Sequence, residues 1–250
     1  MPSLNSTQRV ISMYKYYGGK MKRIILIVLI GLINTTIFTQ VKYPSRDSKE
    51  WNDLTVAQRW QAVNIPEDQL SQMSTNDLIE HCIDFDFMWD IFNHSNYGIG
   101  LNVVIENHNG LRELLNRSDA GELLLDFYNK IDLNKIKEIT ESADRGEFVG
   151  QIFFLELFLS YPSVLKQFQG NEKILIDSIL KTYDTCLEMN EKSEKDYYCG
   201  YSVNTKILAM GRALDQLKGR ETTAAALEEM DLSQLTEEQC QEILNEAREL

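Results

Sequence analysis

Proline and glycine are scarce in this chain: 250 residues hold 4 prolines and 13 glycines. With 43% hydrophobic and 25% charged residues, the composition is globular and excludes collagen-like, low-complexity and wholly disordered classes. Basic charge is scarce as well. Lys and Arg total 25 against 38 Asp and Glu, a formal net charge of −13. The electrostatic footprint for phosphate backbones is missing, and no nucleic-acid partner is expected. The sequence has no Gly-x-Ser-x-Gly elbow, His-Glu-x-x-His pair or Cys-x-x-Cys, so nucleophilic hydrolases and zinc proteases lose their usual evidence. Gly98-Ile99-Gly100 lacks a third glycine and a preceding strand, so a dinucleotide is not expected, nor any other cofactor. Alternating β-branched runs bounded by turns are also absent.

What is present begins with an address. Met21-Lys22-Arg23 is a basic n-region, residues 24–33 are an unbroken apolar run, and residues 34–40 are a short polar c-region. That order is a secretory signal peptide over residues 21–39, with cleavage near Thr39. The run is too short for a comfortable span, which takes about 18 to 20 apolar residues. Residues 1–20 contain Tyr14, Tyr16 and Tyr17 but no amphipathic period, and read as an over-called start with Met21 the initiator. If translation begins at Met1, the alternative is an uncleaved anchor and a single-pass membrane protein. The first cysteine is Cys82, so no thiol is placed for a lipid anchor. The expected location is periplasmic or extracellular, with membrane contact only if the segment stays uncleaved. Residues 1–39 carry five basic side chains and no acidic one, which leaves the mature chain 20 Lys+Arg against 38 Asp+Glu, a formal charge of −18.

Residues 40–50 are polar and contain Pro44, a flexible lead-in. From Trp51 helix signals recur. Capping boxes are expected at Thr55 with Gln58, Ser74 with Asp77, Asp119 with Glu122, and Thr236 with Gln239. Leu78, Cys82, Phe85, Trp89 and Phe92 fall on one helical stripe, with Asp77, Glu80, His81 and Asp84 on the other side. Residues 148–161, FVGQIFFLELFLSY, are apolar nearly all round and predict the central buried helix, ended by Pro162. Gly170 and Gly219 suit helix C′ positions, residues 190–196 a charged loop, and residues 237–249 the terminal helix. The expectation is a single all-α domain over residues 51–250, built of stacked helical hairpins and HEAT-like in general shape.

Ile65-Pro66-Glu67, residues 73–80 (MSTNDLIE), Phe92 and residues 109–114 (NGLREL) resemble a family of exported helical proteins from Bacteroidota. The resemblance covers about residues 50–130. It implies an exported all-α protein and no catalytic activity.

Three sets of residues carry possible chemistry. Glu156 lies inside the apolar helix; buried alone it would be a general acid or base, and paired it would be structural, with Arg212 the expected partner. Asp77, His81 and Asp84 share one helical face by spacing, where an imidazole and two carboxylates could hold a divalent metal, although solvent-facing polar residues are the expected reading and no metal site is assigned. Cys186 and Cys199 flank the charged loop, and export would favour a bridge between them, with Cys82 and Cys240 reduced. Together these features lead to an exported helical interaction module that binds another protein or a cell-envelope component. The alternative is a periplasmic hydrolase using buried carboxylates, built around Glu156 and the carboxylates near Asp84.

Overall fold

Three of the four expected capping boxes set helix starts. The computed structural model describes residues 48–192, 203–220 and 225–250, and contains 13 α-helices, short 3-10 stretches and no strand among those residues. The fold is all-α. The first four helices are α1 (Lys49–Asn52), α2 (Val56–Ala62), α3 (Glu67–Leu70) and α4 (Thr75–Ile83). Because α1 begins at Lys49 and buries Trp51, ordered helix reaches into the last residues of the expected lead-in. Thr55 and Gln58 start α2, and Ser74 and Asp77 start α4, each pair exchanging side-chain and backbone hydrogen bonds.

Next come α5 (Tyr97–Asn107), α6 (Asn109–Asn116) and α7 (Ala120–Asn129). The box at Asp119 does not form. Its carboxylate instead accepts the Thr75 hydroxyl at 2.8 Å, so a local cap gives way to a tie between the starts of α7 and α4. Between α4 and α5 the expected single stripe breaks: α4 ends at Ile83, and Asp86–Asn93 is a 3-10 helix. At three residues per turn, positions three apart eclipse one another. Met88 and Ile91 therefore share a fully buried face, while Trp89 and Phe92 share another and are 41% and 45% exposed.

The centre is α8 (Ser142–Leu159), where every residue from 152 to the last is buried, as is Ser160 at its cap. It packs against α4, α7 and α11 (Val203–Lys218). Pro162 opens the short α9 (Pro162–Leu165), and the chain bends by 65° between α8 and the segment Pro162–Phe168. Among the described residues no single helix is long and apolar enough to cross a membrane.

The long helices α10 (Glu172–Lys192) and α11 form an antiparallel pair. Gln216 near the end of α11 donates to buried Glu172 at the start of α10, at 3.0 Å. Helix α10 continues through residues 190–192, part of the expected loop. Gly219 takes φ +60, and the turn lets the Arg220 N–H reach back to the Asp215 carbonyl at 2.9 Å; Gly170 takes φ +83, so both glycines occupy the left-handed region they suit. After α12 (Ala225–Glu228), Thr236 caps the terminal α13 (Glu237–Glu249). That helix is held to α10 by Arg248 on Asp184 at 2.8 Å and to the end of α11 by Lys218 and Arg220 on Glu246, at 2.7 and 2.9 Å.

Candidate functional site

Glu156 is fully buried, and its ion-pair partner is Lys206, not Arg212. The Lys206 ammonium lies 2.6 Å from Glu156 Oε1, and both side chains are 0% exposed. The Tyr128 hydroxyl donates to the same oxygen at 2.9 Å, and the Thr205 hydroxyl donates to Oε2. Burial, then the Glu156 charge, raises the Tyr128 hydroxyl well above its ordinary pKa. Lys206 rather than Arg212 faces the carboxylate because residues 205 and 206 stand where α11 crosses α8. Arg212, nearly two turns later, is half-buried and donates to the Leu227 carbonyl at 3.3 Å. A carboxylate with both oxygens engaged and no exposure has no path to a substrate; its arrangement is that of a paired buried charge.

The three metal candidates separate. Asp77 is occupied by its capping box, accepting the Ser74 N–H at 3.0 Å. His81 turns inward instead of facing solvent. It stacks on His108 with ring centroids 5.7 Å apart, and His108 stacks on Phe85 at 3.9 Å. Asp84 leaves the helical face as the residue capping the end of α4. No group of three or more His, Cys, Asp and Glu side chains is gathered to hold a metal among the described residues.

Burial pulls the His81 imidazole down to about 4. His108 falls to about 3, first by burial and then through the charges of His81 and Arg112. His108 Nδ1 accepts the Leu111 N–H at 3.1 Å and so caps α6 as a neutral ring. The proton belongs on Nε2, which makes no well-formed hydrogen bond although the Val63 carbonyl favours its protonation.

The open chemistry lies on the other side of the 3-10 helix. Trp89 and Phe92 stack at 5.7 Å. Phe92 rests on Phe153 at 5.0 Å, and Trp89 and Phe154 form a T-shaped pair with centroids 5.3 Å apart. A Cβ on Gly150 would stand 2.6 Å from the Trp89 ring, so the missing side chain is what lets the indole lie against α8. Beside it opens a cleft of about 290 Å³ walled by Phe85, Trp89 and Phe154 and rimmed by Asp84, Glu147 and Gln151. Gln151 donates to Asp84 at 2.8 Å and orients that carboxylate. Gly146 forms part of the lining, and a Cβ there would meet nothing within 4 Å. Fixed aromatic walls with a polar rim are a recognition geometry.

A second cleft, about 560 Å³, lies among the first turns of α5, Tyr161, Arg212, Glu228, Glu229 and Met230. Met230 takes φ +55, a conformation seldom adopted by a bulky residue. Gly98 fits under the Glu229 carbonyl, where a Cβ would come within 2.3 Å of the oxygen. Gly98 therefore serves close packing of helix on backbone.

Cys82 and Cys186 are buried, and burial raises the Cys82 thiol above its ordinary range. Cys199 lies outside the described residues, as does the expected bridge to it. The signal segment, residues 21–39, and the upstream residues 1–20 lie outside them too.

Periodicity places Trp89 and Phe92 in the core, and so misses the cleft. The signal that could have found it is the spacing of Gly146 and Gly150 in the more polar first half of a helix whose second half is apolar. No known family model, curated protein or solved structure matches the chain.

Proposed function

We propose that this chain is an exported helical interaction module that binds another protein or a cell-envelope component through the Trp89 cleft. The observation that carries the reading is the stacked, half-exposed Trp89–Phe92 pair beside a cleft with a polar rim. Large aromatics left exposed together, with rings already fixed by packing, offer contact area at little cost in conformational entropy. The signal-like residues 21–39 and the resemblance of residues 50–130 to exported helical proteins support the compartment. Of the carboxylates on which the hydrolase alternative draws, Glu156 is sealed beneath Lys206, Tyr128 and Thr205, while Asp84 stands at the rim of the cleft.

The test is capture from the native cell envelope, with partners identified by mass spectrometry, comparing the wild type with Trp89→Ala/Phe92→Ala. The wild type should recover a defined partner. The double variant should lose it while keeping its helical circular dichroism. Recovery of the protein alone, with turnover on a panel of hydrolase substrates, would sink the reading.

A further inference from the structure

We propose that the Trp89 cleft receives a cationic side chain, an arginine or lysine presented by a basic segment of a partner protein. This rests on the reading of that cleft as the binding site and adds the chemistry of its occupant.

Two carboxylates, Asp84 and Glu147, line the cleft, and no Lys or Arg does. Neither has an ion-pair partner among the described residues, although lysines and arginines elsewhere on the surface pair with acids at 2.5–3.4 Å. Asp84 is nonetheless held in place: the Gln151 amide fixes one oxygen at 2.8 Å. The wall they face is aromatic. Trp89 is braced against Gly150 and Phe154, and the face of an indole attracts a guanidinium or ammonium through its quadrupole.

Carboxylates beside an aromatic wall form a cation site, because the cation gains from both and neither has another counter-ion. A neutral ligand would leave both charges uncompensated. A bare divalent metal would lack a third protein ligand, since no such group is gathered among the described residues. A volume of about 290 Å³ suits the head of one long side chain rather than a whole helix. The net charge of −13 would draw a basic segment towards the surface at long range.

Gly146 makes the proposal separable from that general attraction. Its missing side chain leaves open space in the lining, so Gly146→Leu fills the cleft and changes no charge. Asp84→Asn/Glu147→Gln keeps the shape and removes the charge.

The experiment titrates the purified full chain with the peptide acetyl-Gly-Arg-Gly-Arg-Gly-amide, following the Trp89 indole N–H by NMR. Its partner arms are the same peptide with citrulline for arginine, and a neutral oligosaccharide. The arginine peptide should give a saturable shift, and its affinity should fall at least tenfold in both Gly146→Leu and Asp84→Asn/Glu147→Gln. The citrulline peptide should give no saturable shift. Unchanged affinity in Gly146→Leu would assign the binding to the overall field of the chain and overturn the proposal. Equal binding of the citrulline peptide, or no saturable response to the arginine peptide, would overturn it as well. If the oligosaccharide alone saturates the Trp89 signal, the cleft remains a binding site and only the cationic occupant is refuted. Envelope capture unaffected by Trp89→Ala/Phe92→Ala would instead remove the cleft itself.

Discussion

Glu147 and Glu156 stand nine residues apart on α8 and live in different solvents. Glu156 is enclosed with a lysine, a phenol and a hydroxyl around it. Glu147 lies on an exposed stretch beside a cleft, with no ion-pair partner among the described residues. The same functional group thus holds the core together at one end of the helix and borders an open cleft at the other. Burial decides between them: a charge taken out of water must be paired within the fold, whereas one left at a cleft rim can be paired by something else. The apolar density of the helix follows the same division, since residues 152–160 are all buried while Ala143, Gly146 and Glu147 border open space.

The strongest way to break this contrast is Lys206→Met. It leaves the Glu156 charge buried without its cation, and should cost about 3–5 kcal/mol in urea denaturation. Adding Glu156→Gln should restore most of that loss, because an amide carries no charge, its oxygen still accepts one of the Tyr128 and Thr205 hydroxyls, and its NH2 can donate to the other. A cost below about 1 kcal/mol for Lys206→Met would mean that water reaches the pair and that the two ends of α8 do not differ.

The histidine stack extends the comparison to groups that burial, partial for His81 and complete for His108, holds in neutral form. In the fold His81 and His108 are held down to about 4 and about 3, against an ordinary 6.5. Below about pH 6.5 the unfolded chain takes up protons that the native state refuses. Stability is therefore full above that pH and falls as the pH drops towards about 4, by about 1.4 kcal/mol per pH unit for each histidine. Thermal melts of His108→Asn, whose amide can still cap α6, should show a shallower fall over the same range. An identical pH profile in the variant would mean that His108 is already open to solvent.

The smallest effect sharpens the open end. Gly146→Leu should leave the melting transition unchanged or raise stability by up to about 1 kcal/mol, because leucine favours helix over glycine and the position faces open space. A clear loss of stability would show that the cleft closes in solution.

Much of this architecture is local and therefore legible along the chain. The boxes at Thr55, Ser74 and Thr236, the left-handed glycines 170 and 219, and the terminal helix Glu237–Glu249 each depend on residues within about a turn. The burial of residues 152–160 follows from an apolar surface with no polar side to expose. Where a local choice competes with a distant one, the chain alone does not decide. Asp119 could cap its own helix or take the Thr75 hydroxyl 44 residues away, and it takes the second. Residues 85–93 could extend α4 or tighten into a 3-10 helix. The period of the stripe does not reveal the tightening that turns Trp89 and Phe92 outward.

By itself, then, the sequence determined the all-α class, the main helix ends and the helix at the centre, because capping, chain reversal and apolar periodicity act between near neighbours. Only the tertiary structure decided that Lys206 neutralises Glu156, that His81 lies on His108, and that Trp89, Asp84 and Glu147 border one cleft. Apart from Asp84 and Trp89, which are near neighbours in sequence, those arrangements bring together residues 27 to 63 positions apart, and which side chains meet across such distances depends on how the helices cross, a property no single helix carries.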